Sequence, residues 1–204
     1  MIRSLTNVRI ATADDLPAIA ETLADAFDGN AWTRWTVAAD DHRQRIRALQ
    51  LLHVEKLGLP FGRVWVAQGG SAVAVWMPPE PRVPEHVWAE LGPRVEELQG
   101  ERASFAAAAD VLCEAHKPAE PHWWLATVGV RPDLQGRGLG TAALKAGLVE
   151  VDRSGQPAFL ETSDERNVRL YQRLGFEVTA ELDIPGGGPH TWFMRREPGT
   201  THRG

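Results

Sequence analysis

Hydrophobic residues follow two spacings along this chain of 204 residues, and together they predict both helices and strands. Apolar residues three or four positions apart predict helices, whereas short apolar runs between turn residues predict strands. The predicted helices cover residues 15–27, 41–57, 84–91, 94–115, 138–153 and 166–174. The predicted strands cover residues 8–11, 63–67, 72–76, 123–130, 158–162, 176–182 and 191–195.

The order of these elements indicates the fold class. A strand, helices, a hairpin and more helices are followed by strand–helix–strand–helix–strand–strand. This order predicts one mixed α/β domain over residues 1–197, with antiparallel strands at the edges of its sheet. Residues 28–40 and the proline-rich residues 78–84 are predicted to be loops, and residues 198–204 are predicted to be a disordered tail.

Composition narrows the classes of function. A net charge of -5 without a basic run argues against a nucleic-acid partner. Cys113 is the single cysteine, so no intramolecular disulfide is expected, and its helical flanks predict a buried structural thiol. We find no signal-peptide pattern, no apolar run long enough for a membrane span and no histidine pair at metal-ligand spacing. A cytoplasmic protein without a metal is therefore expected.

A glycine-rich segment, Gln135–Thr141, joins the apolar strand over 123–130 to the next predicted helix. Glycines expose backbone N–H groups, and a helix N-terminus attracts anions, so the segment predicts a diphosphate site. A Walker loop would need Gly-Lys-Ser/Thr, which is absent. A dinucleotide loop would need Gly-x-Gly-x-x-Gly, which does not match either, although Glu161 lies where its ribose-binding acid would lie.

The remaining interpretation is Gln-x-x-Gly-x-Gly, which is matched at Gln135, Gly138 and Gly140. A second pattern, Asn-x-x-x-Tyr-x-x-x-Gly-Phe, begins at Asn167 and includes Tyr171, the only tyrosine. In both patterns the chain resembles the GNAT superfamily of N-acetyltransferases. Segments from Val8 to about Arg195 are also similar to puromycin N-acetyltransferases, which suggests a role in antibiotic resistance. The resemblance implies a central mixed, twisted β-sheet with helices on both faces, and acetyl-CoA as co-substrate.

The resemblance also implies roles for individual residues. Tyr171 would protonate the departing thiolate, because a phenol is neutral at pH 7 and carries one directional proton. Glu161 is the first candidate for the base, with a merely structural carboxylate as the alternative; His53 and Glu55 are further candidates. Acetyl-CoA binding is expected at Val128, Gly129, Val130, Gln135, Gly136, Arg137, Gly138, Leu139, Gly140, Thr141 and Asn167.

The acceptor is expected to be the amine of a small molecule, bound near Asn30, Trp32 and Trp35. These positions depart from the puromycin enzymes, so the acceptor is left open. Two other functions compete with this one: N-acetylation of peptides or proteins, and a non-catalytic module that binds acyl-CoA. The oligomeric state is expected to be a monomer or a homodimer.

Overall fold

A computed structural model of the protein describes residues 7–199, and its centre is a seven-stranded mixed sheet. The strands lie in the order β1-β2-β3-β4-β5-β7-β6. Within the described chain only β4 and β5 run parallel, and every other neighbouring pair is antiparallel. The strands are β1 (Val8–Ile10), β2 (Arg63–Ala67), β3 (Ala72–Met77), β4 (Trp123–Val130), β5 (Ala158–Thr162), β6 (Glu177–Asp183) and β7 (His190–Arg196).

Helices cover both faces of this sheet, as the sequence predicts. They are α1 (Leu16–Phe27), α2 (Ala31–Thr36), α3 (His42–His53), α4 (Leu59–Phe61), α5 (Glu85–Gln99), α6 (Ala103–Glu114), α7 (Leu139–Ser154) and α8 (Glu165–Gln172). A π-helical turn, Val54–Gly58, joins α3 to α4. No helix in the described part of the chain is long and apolar enough to cross a membrane.

The alternation of side chains along the strands separates two cores. On the first face, which we call the α7 face, buried residues of α7 and α8 pack against Trp76, Leu125 and Leu160. On the opposite face, the α6 face, α1 packs against β2 and β3 through Ile19 and Leu23, while α6 packs on β5 and β7. These two faces determine from which side of the sheet a side chain can approach the candidate active site.

Two helices differ from the sequence-based expectation. The helix α2 lies in the predicted loop 28–40, and it begins because the Asn30 side chain accepts hydrogen bonds from the amides of Trp32 (2.9 Å) and Thr33 (3.4 Å). The helix α5 continues through Pro93 and stops at Gly100, whose φ of 62° ends it. The predicted break near residues 92–93 is therefore wrong in position, because Gly100 rather than Pro93 interrupts the helix.

The C-terminal prediction is tested only in part, because residues 200–204 lie outside the described residues. Of the predicted tail, Gly199 is described, and its N–H donates to Asp152 Oδ1 over 2.8 Å. Asp152 also binds the buried guanidinium of Arg196, with 2.6 Å between Arg196 Nη1 and Asp152 Oδ1. The last strand is therefore fixed to the end of α7. The single-domain boundary at residue 197 stays a prediction.

Candidate active site

The parallel strands β4 and β5 pair only at their first residues, and they separate beyond that point. The pairs are Trp123 with Ala158 and Trp124 with Phe159. On its other side β4 is paired with β3 as far as Val130. Beyond Trp124 the two strands leave an opening, and the β5-facing peptide groups of β4 there have no strand partner among residues 7–199. An extended ligand can pair with such an edge.

The register indicates which peptide groups face this opening. The Arg131 N–H donates to Ser71 O on the β3 side over 3.0 Å. Because successive N–H groups of a strand alternate in direction, those of Val130 and Val128 point towards the opening. A bulge at Ala126 shifts this alternation, since Val75 pairs with Thr127 while Trp76 pairs with Leu125. The orientation supports backbone binding at Val128 and Val130.

The glycine-rich segment closes one end of the opening. Gly136 and Gly138 have φ values of 74° and 80°, which favour glycine, and no atom lies within 4 Å of where their Cβ atoms would be. The first bond of α7 runs from the Ala142 N–H to Gly138 O over 2.9 Å. The amides of Leu139, Gly140 and Thr141 consequently have no partner within the described residues. Free amides at a helix N-terminus fit a diphosphate.

Other residues of the segment support its shape. Leu139 is buried in the core, so only its backbone can reach a ligand. Gly140 allows α7 to start against β4, because a Cβ there would lie 2.8 Å from Val130 Cγ2. Gln135 Nε2 donates to Val130 O over 3.3 Å. Arg137 is exposed and forms no ion pair with another described residue, so its guanidinium is available to an anion.

The sequence predicts a contact between Gly129 and the cofactor. In the structure Gly129 allows α1 to pack closely on β4. A Cβ at this position would lie 2.7 Å from Leu23 Cδ2 and 3.1 Å from Ala26 Cβ, both on α1. Glycine here allows α1 to approach β4 closely on the α6 face. Any contact of Gly129 with a ligand would therefore involve its peptide groups alone.

Tyr171 lies on the α7 face of the sheet. Its side chain lies in the core with Val168 and Phe176, whose ring centroid is 5.9 Å from that of Tyr171. No described residue forms a hydrogen bond with the hydroxyl. Burial, with a smaller contribution from Asp164, raises the pKa of Tyr171. The phenol therefore keeps its proton at neutral pH, as a general acid requires.

The surroundings of Tyr171 follow the second sequence pattern. Asp164 caps α8 by accepting from the Arg166 N–H over 2.9 Å, and Gly175, with a φ of 90°, lets the chain turn back after the helix. Asn167 Nδ2 donates to Thr162 Oγ1 over 3.4 Å. Asn167 is thus held at the end of β5, where β5 is no longer paired with β4.

Glu161 lies on the opposite, α6 face of the sheet. It follows Phe159 by two residues in β5, and Phe159 is buried against α6. Its Oε2 atom is closed off from solvent and has no hydrogen-bond partner in the described chain. Burial raises the pKa of Glu161; Asp110 also raises it and Lys117 lowers it. A carboxylate with a raised pKa and no donor is suited to accept a proton.

Two further polar atoms at the opening have no partner either. The Trp124 Nε1 and Thr127 Oγ1 atoms are both buried and unpaired among the described residues. Both side chains lie on the α6 face, because Trp124 packs with the α6 core and Thr127 pairs with Val75. Buried polar groups normally find partners, so this cluster indicates space for a polar ligand. The sequence search missed both residues, since their types alone carry no chemical signal.

The residues expected at the acceptor lie around α2. Asn30 uses its side-chain oxygen to cap α2, and Trp32 and Trp35 are neighbours with 6.5 Å between ring centroids. Trp35 lines a cavity of about 240 Å³ beside Phe105, Leu112 and Ile184. Its Nε1 atom is buried and has no hydrogen-bond partner in the part of the chain that the structure describes. These contacts leave Trp35 able to border a ligand, and the assignment stays a prediction.

Cys113 lies between α6 and the sheet and is buried, with 4% of its surface exposed. Burial, helped by Glu161, raises the pKa of its thiol to about 12. The thiol is therefore protonated at neutral pH and is not an activated nucleophile. The structural role expected from the sequence agrees with this placement.

These features define an α/β protein whose sheet opens between β4 and β5, with free helix amides at one end of the opening and two side chains of raised pKa, Tyr171 and Glu161, on opposite faces of the sheet. A model of the acetyltransferase (GNAT) family matches residues 65–176. The chain therefore belongs to the acetyltransferase (GNAT) family. Acetyl-CoA is the co-substrate typical of that family.

The chain is also similar to individual proteins. It is 37% identical over 94 residues to a mycothiol acetyltransferase of Streptomyces scabiei, covering 45% of this chain and 27% of the relative. The match to a mycothiol acetyltransferase of Propionibacterium freudenreichii is 35% over 69 residues, covering 32% and 22%. The chain thus spans about a quarter of the length of these curated relatives. Neither is a puromycin N-acetyltransferase, so the narrower resemblance gains no support.

Solved structures agree over nearly the whole chain. A structure of histone acetyltransferase HPA2 and related acetyltransferase from Corynebacterium glutamicum has a TM-score of 0.74 and 28% identity, and the match covers 95% of this chain and 96% of that one. The YncA protein of Salmonella typhimurium, solved with its cofactor acetyl-CoA, has a TM-score of 0.54 and 21% identity over 95% and 94%. The second likeness establishes the fold alone.

Proposed function

We propose that this protein transfers the acetyl group of acetyl-CoA directly to the amine of a small molecule. The observation that carries this proposal is the opening between β4 and β5, together with the placement of Tyr171 on the α7 face of the sheet and Glu161 on the α6 face. An amine arriving from the α6 face and a thiolate leaving towards the α7 face would each meet the group that its proton transfer requires.

The donor side would use mainly backbone groups. The free amides at the start of α7 and the exposed Arg137 would hold the diphosphate, and Asn167 would bind the adjoining arm. The peptide groups of Val128 and Val130 would pair with that arm as a further strand would. Acetyl-CoA would supply an activated thioester. The Val128 N–H would polarise the carbonyl oxygen of that thioester.

The proton transfers would use the two side chains with raised pKa values. Glu161, as a carboxylate, would take a proton from the acceptor ammonium directly or through water. Tyr171, as a phenol, would give its proton to the CoA sulfur. If positioning alone is sufficient for the amine, Glu161 would instead serve to attract the cation.

The acceptor side favours a small molecule over a protein chain. The segment from α5 to α6 covers the α6 face, and Ala109 and Cys113 pack directly on Phe159 and Phe193. An extended peptide would have to displace α6. Asn30, Trp32 and Trp35 would form the wall beyond it. We assign no antibiotic to this pocket.

The test is release of free thiol from acetyl-CoA by the full chain with a panel of amines. The panel would contain puromycin, a polyamine, an arylalkylamine, a free amino acid and a short peptide. Turnover of one or more small amines supports the proposal, and turnover of the peptide alone would favour peptide acetylation. Tight binding of acetyl-CoA without turnover of any amine would favour a non-catalytic module.

A further inference from the structure

An ammonium group of the protein itself lies beside Trp124, where β4 and β5 begin to separate. Lys117 follows α6 by three residues, and its Nζ atom lies 4.9 Å from the centroid of the Trp124 ring. Trp124 is the last residue at which β4 pairs with β5, and it lies on the same face as Glu161. The cation thus sits on an aromatic face beside the proposed path of the acceptor.

Carboxylates outnumber cations around this lysine. Lys117, Asp110 and Glu114 all act on the pKa of Glu161, the two carboxylates raising it and the lysine lowering it. Burial raises the pKa of Asp110; Glu114 raises it further, and Lys117 lowers it. Among these groups there is one ammonium and three carboxyl groups, so the carboxylate charge that Lys117 does not balance would attract a second cation.

Lys117 donates its side-chain hydrogen bond to Glu114 and not to Glu161, the carboxylate that lies deeper in the protein. Lys117 Nζ donates to Glu114 Oε2 over 2.6 Å, and the Glu114 side chain is 69% exposed, so this contact is the outer one. The inner atom, Glu161 Oε2, has no donor in the described chain. An arriving ammonium could form an ion pair with Glu161 and a cation–π contact with the Trp124 ring, and a neutral donor would gain neither of these attractions.

We propose that Lys117 holds the cation position of the acceptor site and is displaced by the ammonium of the substrate. This inference rests on the proposed function and gives its acceptor a class: a compound that carries a protonated amine. Glu114, three residues before Lys117, would remain hydrogen-bonded to the Lys117 ammonium when the lysine side chain moves into solvent. Because Lys117 competes only with cations, it would determine acceptor affinity and charge selectivity without taking part in the chemistry.

The displacement can be observed without acetyl-CoA. Reductive methylation with ¹³C-formaldehyde converts the lysines at 56, 117 and 145 to dimethylammonium groups, which keep their charge. Lys→Arg variants assign the NMR signals. We expect the Lys117 signal to be shifted by the Trp124 ring and to move towards that of Lys56 as ethylammonium chloride is added. A Lys117 signal that does not move, or that moves as far with sodium chloride of equal ionic strength, would overturn the proposal.

Kinetics provide a second test. If Lys117 occupies the position nine-tenths of the time, Lys117→Met should lower the KM for an amine of the panel by about tenfold. The KM for acetyl-CoA should not change. Lys56→Met is the matched control, because Lys56 also pairs with a neighbouring carboxylate, that of Glu55 at 3.5 Å. An amine KM that stays constant or rises in Lys117→Met contradicts the proposal.

The two tests separate this inference from the proposed function. If the wild-type chain turns over no amine, the proposed function fails, while the NMR titration still reports whether a cation displaces Lys117. If amines are acetylated and the Lys117 signal stays in place, the displacement fails alone.

Discussion

Replacing Tyr171 by Phe removes a single oxygen atom from a buried ring, and this makes it a sharp test of the proposed mechanism. The ring is 4% exposed and packs on Phe176, and its hydroxyl has no hydrogen-bond partner among the described residues. Because no hydrogen bond within the described chain is lost, the free energy of unfolding should stay within about 1 kcal/mol of wild type or rise slightly. Binding of acetyl-CoA should change little.

The rate should respond very differently. A positioned general acid contributes about 10²- to 10⁴-fold, which corresponds to about 3–5 kcal/mol in the activation barrier. We therefore expect kcat of Tyr171→Phe to fall by at least 10²-fold. Since burial raises the pKa of Tyr171, the wild-type enzyme should not lose activity through this group as the pH rises towards 10. The assay is thiol release at saturating acetyl-CoA, with the dissociation constant measured separately.

A neighbouring substitution controls for packing. Phe176→Leu disturbs the ring that contacts Tyr171 and keeps the hydroxyl, so it should cost stability and leave kcat within a few fold. Equal losses of kcat in the two variants would mean that Tyr171 acts only through packing. A Tyr171→Phe enzyme that keeps kcat within about twofold would remove Tyr171 from the mechanism altogether.

Three further predictions concern the base, the anion site and stability. Glu161→Gln should lower kcat/KM for amines, and in the wild type kcat/KM should fall as the pH drops through the raised pKa of Glu161, because only the carboxylate accepts a proton; a wild-type acid limb that persists in the variant would exclude Glu161. Gly138→Ala should weaken acetyl-CoA binding in titrations, whereas Gly155→Ala, with a similar φ of 68° at the other end of α7, should cost stability alone; equal effects on binding would contradict the assignment. Asp15→Asn should destabilise the protein by about 1–2 kcal/mol in urea unfolding at pH 7. Arg9 lowers the pKa of Asp15 to about 2, so this stabilisation should be complete above about pH 4 and be lost as the pH falls through 2; a difference that does not vary with pH would refute the ion-pair explanation.

The conformation of the glycine-rich segment could be predicted from the sequence because its determinants are local. Gly136 and Gly138 are needed for positive φ, the free amides belong to the first turn of one helix, and the preceding strand is continuous in sequence. Every step of that argument uses residues within one segment. The mixed α/β class could be predicted for the same reason, since each element shows its own periodicity, whereas the placement of helices on both faces came from the family resemblance.

The separation of β4 from β5 could not be predicted in this way. It depends on where pairing stops after Trp124 and on a bulge at Ala126, and neither leaves a pattern of residue types. The helix α2 did leave a signal, since Asn30 is a favoured N-cap and Trp32 and Trp35 follow at helical spacing. The interpretation of Asn30, Trp32 and Trp35 as acceptor contacts left out the role of Asn30 as an N-cap.

The wall that we propose for the acceptor consists of segments that are distant in sequence and joined by hydrogen bonds. Arg102 Nε donates to Trp35 O over 2.6 Å, and the Ala38 N–H donates to Gln99 O over 3.0 Å. Arg45 adds hydrogen bonds from α3 to the end of α5. These contacts join α2, α3, α5 and α6 around Gly100 into a unit that shares no residue with the glycine-rich segment. If the proposed sites are right, substitutions in the wall can change the acceptor while the amides proposed to bind the donor remain as they are, and one family pattern can then identify the donor and leave the amine open.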